Sequence, residues 1–173
     1  MVQNHLFQLL SITALEDPSS SDIKAQQLTV LQNLRPVTKE NIKDSAIFGQ
    51  YEGYRKELKV SESSVTETYA ALKLYVDVPR WKDVPFIIRT GKKCSDRHTS
   101  VILTLRPSAP GVLPDRLVIR IQPSEEIRLQ FNVKKPGEYD ELDQVELKYC
   151  QSCMDSFSRN TPEAYERMLN ACM

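Results

Sequence analysis

Glycine is scarce in this 173-residue chain, which has five, at Gly49, Gly53, Gly91, Gly111 and Gly137. None of their spacings gives GxGxxG or GxxxxGK[ST], so neither phosphate-cradling loop is encoded here. Charge of one sign is missing as well. Lys plus Arg total 23 and Asp plus Glu total 23, leaving no net charge to draw the chain to a polyanion or an anionic membrane surface. Nucleic acid is therefore disfavoured as a partner. No apolar run approaches the roughly 18 residues of a membrane span, and the N-terminus lacks the basic stretch and apolar core of a secretory signal.

Histidine is limited to His5 and His98, and cysteine to Cys94, Cys150, Cys153 and Cys172. Four scattered cysteines do not make the disulfide framework of a small secreted domain, and a reducing cytoplasm is the compartment that such usage fits. The Cys150-Gln-Ser-Cys153 spacing suits zinc or thiol exchange, but a structural zinc site needs two more ligands. Neither a second CxxC nor an HxxxH occurs. No metal is expected, and the pair reads as surface or half-buried thiols after a strand.

What remains is the composition of a globular domain, 40% hydrophobic and 27% charged, of a length for one domain of ordinary size. From Met1 to Leu15, the residues Val2, Leu6, Leu9, Leu10 and Thr13 share a face at helical period, opposite Gln3, Asn4 and Gln8. Asp17-Pro18-Ser19-Ser20-Ser21 ends that helix by turn chemistry. Ser21 is placed to cap a second helix, Asp22 to Leu34, which stops before Pro36.

From residue 69 the period changes to two. Leu72, Leu74, Val76 and Val78 alternate with Lys73, Tyr75 and Asp77, and Val101, Leu103 and Leu105 with Ile102, Thr104 and Arg106. Leu117, Ile119 and Ile121 oppose Arg116, Val118, Arg120 and Gln122. Likewise Ile127, Leu129, Phe131 and Val133 oppose Glu126, Arg128, Gln130 and Asn132, and Val145, Leu147 and Tyr149 follow. Val84 to Ile88 is continuously apolar, the pattern of a strand covered on both faces.

Strands without helical crossovers between them predict an α+β fold, a large, mostly antiparallel sheet with helices packed on one face. Its other face is mixed, fit for water or for a partner subunit. Ser45 to Tyr51 reads as a short strand and Glu52 to Ser64 as a polar loop. Thr161-Pro162-Glu163-Ala164 has the cap, first-turn proline and early acid of a last helix carrying Tyr165, Met168 and Leu169.

Chemistry concentrates in Arg89-Thr90-Gly91-Lys92-Lys93, with Arg97 and His98 beyond. The segment lies where a strand ends in a loop, and glycine there lets backbone approach a ligand closely. Lys92, Lys93 and Arg97 together suit a phosphate dianion, the guanidinium as a planar fork and the ammonium as a movable charge. The same cations also suit a solvated basic loop. His5 flanks the first helix's apolar face, either as a boundary residue or as a base, histidine being the side-chain type that takes a proton near neutral pH. Gln122 ends a strand, either as a partner for a sugar hydroxyl or as a polar terminus.

The opening VQNHL, the segment WKDVPFIIRTGK with Arg97 after it, the strand end LVIRIQP, the KKPG turn and the late EAYERM occur in one order along nearly the whole chain. Together they resemble the C-terminal domain of the glucose-6-phosphate dehydrogenase family. The resemblance implies that residues 1–173 form the substrate-binding and dimerisation domain, without the family's N-terminal coenzyme-binding Rossmann domain and its glycine-rich turn. It implies an enzyme that oxidises C1 of glucose 6-phosphate to 6-phosphogluconolactone, with hydride passing to NADP+, in the first step of the pentose phosphate pathway. The family's QNH histidine, its catalytic base, falls on His5, whose orienting aspartate belongs to the upstream part.

Substrate-binding residues of the family fall on Lys92, Arg97 and Gln122. For a second, structural NADP site, Arg89 and Arg120 fit, while His98 stands in place of a lysine and Ile102 in place of an arginine. A homodimer or tetramer is implied for the full enzyme, and no dehydrogenase activity for this chain alone. The alternative is a non-catalytic sugar-phosphate-binding or oligomerisation module that keeps the fold.

Overall fold

Residues 2–17, 19, 22–137 and 141–150 are described by the structure, a computed structural model. The chain divides into two compact units, Met1–Ser95 and Asp96–Met173. The α+β class expected from the sequence is what the structure has: a few helices, and strands that are all antiparallel to their neighbours.

The first unit opens with a π-helical turn, Val2–Leu6, that tightens into α1, Phe7–Thr13. The face that α1 buries is Leu10 and Ser11, with Ala14 just beyond its end, rather than the broader Leu6 to Thr13 stripe. Small side chains let α2, Ile23–Gln32, come close, and Gln27 donates its amide to the Ser11 hydroxyl at 3.2 Å. The cap of α2 is Asp22, one residue later than expected, because its carboxylate accepts the Ala25 amide N–H at 2.9 Å and lies at the positive end of the helix dipole. Ser21 lies outside the described residues.

A one-turn α3, Ile42–Ser45, leads into β1, Ala46–Gly49, which pairs with β2, Tyr69–Leu74, which in turn pairs with β3, Phe86–Gly91. Ala14, Val30 and Val76 form the core of this unit, with Leu34, Val78, Trp81 and Phe86 packed around it. Polar closure follows the packing. The Trp81 indole N–H donates to the Ala14 carbonyl at 3.0 Å, and the Trp81 ring meets Phe86 edge-on. The apolar run Val84 to Ile88 is not covered on both faces. Among the described strands β3 is at the edge of its sheet, and Ile87 is 64% exposed.

The second unit is a four-stranded meander of β4 Thr99–Thr104, β5 Arg116–Gln122, β6 Glu126–Lys134 and β7 Leu142–Cys150. Its register lines up Leu103, Leu117, Leu129 and Leu147 across all four strands, and beside them Val101, Ile119, Ile127 and Tyr149. Period-two alternation puts these on one face and the charged residues on the other. Cys150, which ends β7, is disulfide-bonded rather than the free thiol expected of it. Cys153, Cys172 and the helix expected after Thr161 lie outside the described residues. Among the described residues no helix is long and apolar enough to cross a membrane.

Candidate active site

His5 sits in the opening π-helical turn, exposed, and that turn lies against β3. The C-terminal half of β3 carries Arg89 and Gly91, and Lys92 follows directly. The first unit thus joins the expected base to the strand that presents the expected phosphate ligand. The Lys92 amide N–H donates to the Thr68 carbonyl at 2.9 Å, which fixes the backbone at the strand's end. Its side chain is exposed and has no partner among the described residues.

Gly91 is required for close approach. A Cβ there would lie 2.7 Å from the Cys94 Sγ and 3.0 Å from the Tyr69 ring, so the turn folds over a position with no side chain. Lys93, next after Lys92, is occupied otherwise. Its ammonium pairs with the Glu57 carboxylate and lies 4.7 Å from the centre of the Tyr51 ring. The hydrogen bond from Lys93 holds the Glu57 carboxyl below its ordinary range, and the reciprocal bond to Glu57 raises the Lys93 ammonium above its own.

In the second unit, Arg97 is exposed in the segment leading into β4, and Gln122 ends β5 directly opposite Thr99. Both therefore stand at one end of the four-stranded sheet, each without a side-chain partner among the described residues. Such groups can meet a ligand without first breaking an internal bond. The Gln122–Pro123 peptide is cis.

Arg120 is in a different position from Arg97. Its guanidinium lies 3.5 Å from the carboxylate of Glu126, which is only 4% exposed and is also held by Lys148 at 2.9 Å and Arg128 at 2.6 Å. Glu126 shares the charged face with these cations. Lys148 first, and then Arg128, hold its carboxyl below the ordinary range against the opposing effect of burial. The alternation of β5 and β6 puts Arg120, Glu126 and Arg128 on one face, which was the available signal for this cluster. Tyr51 ends the stretch that reads as a short strand and Glu57 falls in the one that reads as a polar loop, and no motif marks either.

A family model described as the glucose-6-phosphate dehydrogenase C-terminal domain matches residues 1–173. The chain belongs to the glucose-6-phosphate dehydrogenase C-terminal domain family. Glucose-6-phosphate 1-dehydrogenase of Bacillus subtilis is 35% identical over 194 aligned positions that include all of this chain and 39% of that protein. The enzyme of Chlamydia muridarum is 38% identical over all of this chain and 38% of its own length. A solved glucose-6-phosphate dehydrogenase in complex with its substrate glucose-6-phosphate superposes with a TM-score of 0.85 at 31% identity, covering 99% of this chain and 38% of the other. The glucose-6-phosphate 1-dehydrogenase of Mycobacterium avium gives 0.76 at 30% identity over 87% of this chain and 35% of its own. The chain thus spans about two fifths of the length of these relatives.

Neither glycine-rich loop occurs, Arg120 shares the Glu126 carboxylate with Arg128 and Lys148, and Arg89 stands as a single exposed cation on β3. No cluster of metal-ligating side chains occurs among the described residues either.

Proposed function

We propose that this domain supplies the catalytic base and the substrate grip of a glucose-6-phosphate 1-dehydrogenase, which oxidises C1 of glucose 6-phosphate to 6-phosphogluconolactone. The observation that carries the reading is the family match over residues 1–173, joined to a fold in which the His5 turn lies against the strand leading to Lys92. Hydride leaves C1 as the hydroxyl proton is removed, and a positioned base typically contributes about 10² to 10⁴ in rate. His5 takes that proton. In the first unit Lys92 is assigned to the phosphate through charge-assisted hydrogen bonds; in the second, the family's pattern assigns Arg97 and Gln122 to the substrate, Gln122 as a neutral partner for a sugar hydroxyl.

NADP+, the hydride acceptor in this reading, binds to a separate coenzyme domain, since neither phosphate-cradling glycine loop is encoded here. The substrate-binding and dimerisation role is assigned to residues 1–173 as a whole, in a cytoplasmic enzyme of the pentose phosphate pathway. A partner subunit of a homodimer or tetramer would cover the apolar face of the four-stranded sheet, where Leu147 is 61% exposed.

The test is a glucose 6-phosphate titration followed by NMR at His5, Lys92 and Arg97, with an NADPH assay beside it. Saturable shifts at the three residues that Lys92→Ala abolishes, and no NADPH from the 173-residue chain, are expected. Shifts that Lys92→Ala leaves intact, or NADPH production by the chain alone, overturn the assignment.

A further inference from the structure

Lys92 and Lys93 are chemically equivalent neighbours, yet the fold treats them differently. Lys93 has a left-handed backbone, φ 51°, which a residue with a side chain adopts only when its surroundings hold it there. Those surroundings are Glu57 and Tyr51. The Lys93 ammonium pairs with Glu57 and rests over the Tyr51 ring, while the Tyr51 hydroxyl donates to the same Glu57 oxygen at 3.3 Å. Tyr54 packs its ring edge-on against Tyr51 at 5.4 Å.

This holder is tied to the backbone of the strand end it serves. The Tyr51 amide N–H donates to the Thr68 hydroxyl at 2.9 Å, and the Thr68 carbonyl accepts the Lys92 amide N–H at 2.9 Å. Gln50 spans the same loop, donating to the Ser64 and Thr66 carbonyls at 2.9 and 2.8 Å. One polar residue, Thr68, therefore connects the clasp on Lys93 with the backbone of Lys92.

We propose that Glu57 and Tyr51 are positioning residues for Lys92, which clasp Lys93 so that one lysine of the pair is left to meet the substrate phosphate. The proposal rests on the assignment of Lys92 to that phosphate. Two free neighbouring ammonium groups would let a dianion settle in several registers, and the sugar carbon would not be held at one distance from the base. With Lys93 neutralised by Glu57, the dianion has a single register on this turn, and effective positioning is gained without a further contact.

The experiment is limiting acetylation of the folded chain with N-hydroxysuccinimidyl acetate, mapped by mass spectrometry, together with glucose 6-phosphate titrations. Native chain, Glu57→Gln, Lys93→Ala, Lys92→Ala and the charge swap Glu57→Lys with Lys93→Glu are compared. In native chain Lys92 acetylates faster than Lys93, and Glu57→Gln brings the two rates together. An exposed ion pair of this kind corresponds to a change of about threefold, so Glu57→Gln speeds Lys93 acetylation by that order, and the freed ammonium makes glucose 6-phosphate binding tighter than native. The swap pairs the two positions again and returns binding to the native value, which a purely structural change would not do.

Equal acetylation of the two lysines in native chain overturns the proposal. So does Lys93→Ala weakening binding as much as Lys92→Ala, which would make Lys93 a phosphate ligand itself. If Lys92→Ala leaves binding unchanged, the phosphate assignment fails, while the acetylation contrast still judges whether Glu57 sorts the two lysines.

Discussion

The Glu126 carboxylate and the Lys148 ammonium meet at 2.9 Å across β6 and β7, with the carboxylate only 4% exposed. Arg128 and Arg120 complete its surroundings, so one buried acid gathers three cations that would otherwise repel one another on one sheet face. Because the folded carboxyl titrates below its ordinary value of 4.5, its stabilising effect is complete above that value and is lost as pH falls through the folded one. The melting temperature of the native chain should therefore fall on acidification below about pH 4.5. Glu126→Gln should melt lower at neutral pH and lose less on acidification. Thermal denaturation at stepped pH checks both, and parallel curves for the two proteins would remove Glu126 from the acid response.

In an enzyme carrying a coenzyme domain, His5 and Lys92 should fail in different ways. Removing a proton acceptor affects the transition state, so His5→Asn should lower kcat by about 10² to 10⁴ with KM little changed. Removing an ammonium that binds phosphate throughout the reaction should raise KM for glucose 6-phosphate in Lys92→Ala and leave kcat closer to native. Both side chains are exposed and without partners among the described residues, so circular dichroism should show intact folding. Steady-state kinetics separates the two roles, and an unchanged kcat in His5→Asn would contradict the base assignment.

The strand faces were legible because period-two alternation is a property of the chain alone. Leu117, Ile119 and Ile121 are on one face of β5, and Ile127, Leu129 and Phe131 on the matching face of β6, as the pattern predicts. Burial depends on neighbours that alternation does not specify, which is why Ile87, in an apolar run, is exposed at a sheet edge. The α2 cap lies one residue beyond the expected Ser21 because serine and aspartate are both competent cap types, and the Asp22 carboxylate is the one seen to accept the Ala25 amide N–H. Residues of the proposed site that lie within one segment, such as Gly91 and Lys92, stand out in local sequence. The pairing of Lys93 with Glu57 joins positions 36 apart and depends on how the 50–68 loop returns to β3, which no local pattern records.

Val76 offers a test of the first unit's core. It is 1% exposed and packs with Ala14 and Val30, while its neighbour Trp81 is the chain's one tryptophan. Val76→Ala removes two buried methyl groups and leaves a void between α1, α2 and the chain after β2, at a cost of about 2 kcal/mol. Urea unfolding followed by Trp81 fluorescence should show a lower midpoint with an unchanged slope. A midpoint equal to the native one would mean that the cluster does not contribute to holding the helices.

Gly91→Ala tests how far the Lys92 turn can yield. The added Cβ would lie 2.7 Å from the Cys94 Sγ and 3.0 Å from the Tyr69 Cδ2. Cys94 is exposed and its thiol ends a short side chain, so it can swing aside; the Tyr69 ring sits on β2, paired in register with Gly91 itself. Overpacking of this kind costs about 1 to 3 kcal/mol, and the strain falls on the turn whose backbone hydrogen bond runs from Lys92 to Thr68. Gly91→Ala should lower the melting temperature and weaken glucose 6-phosphate binding together. Adding Cys94→Ala removes the nearer contact and should recover part of both losses. Recovery of stability without recovery of binding would show that the Tyr69 contact, and not the thiol, sets the position of Lys92.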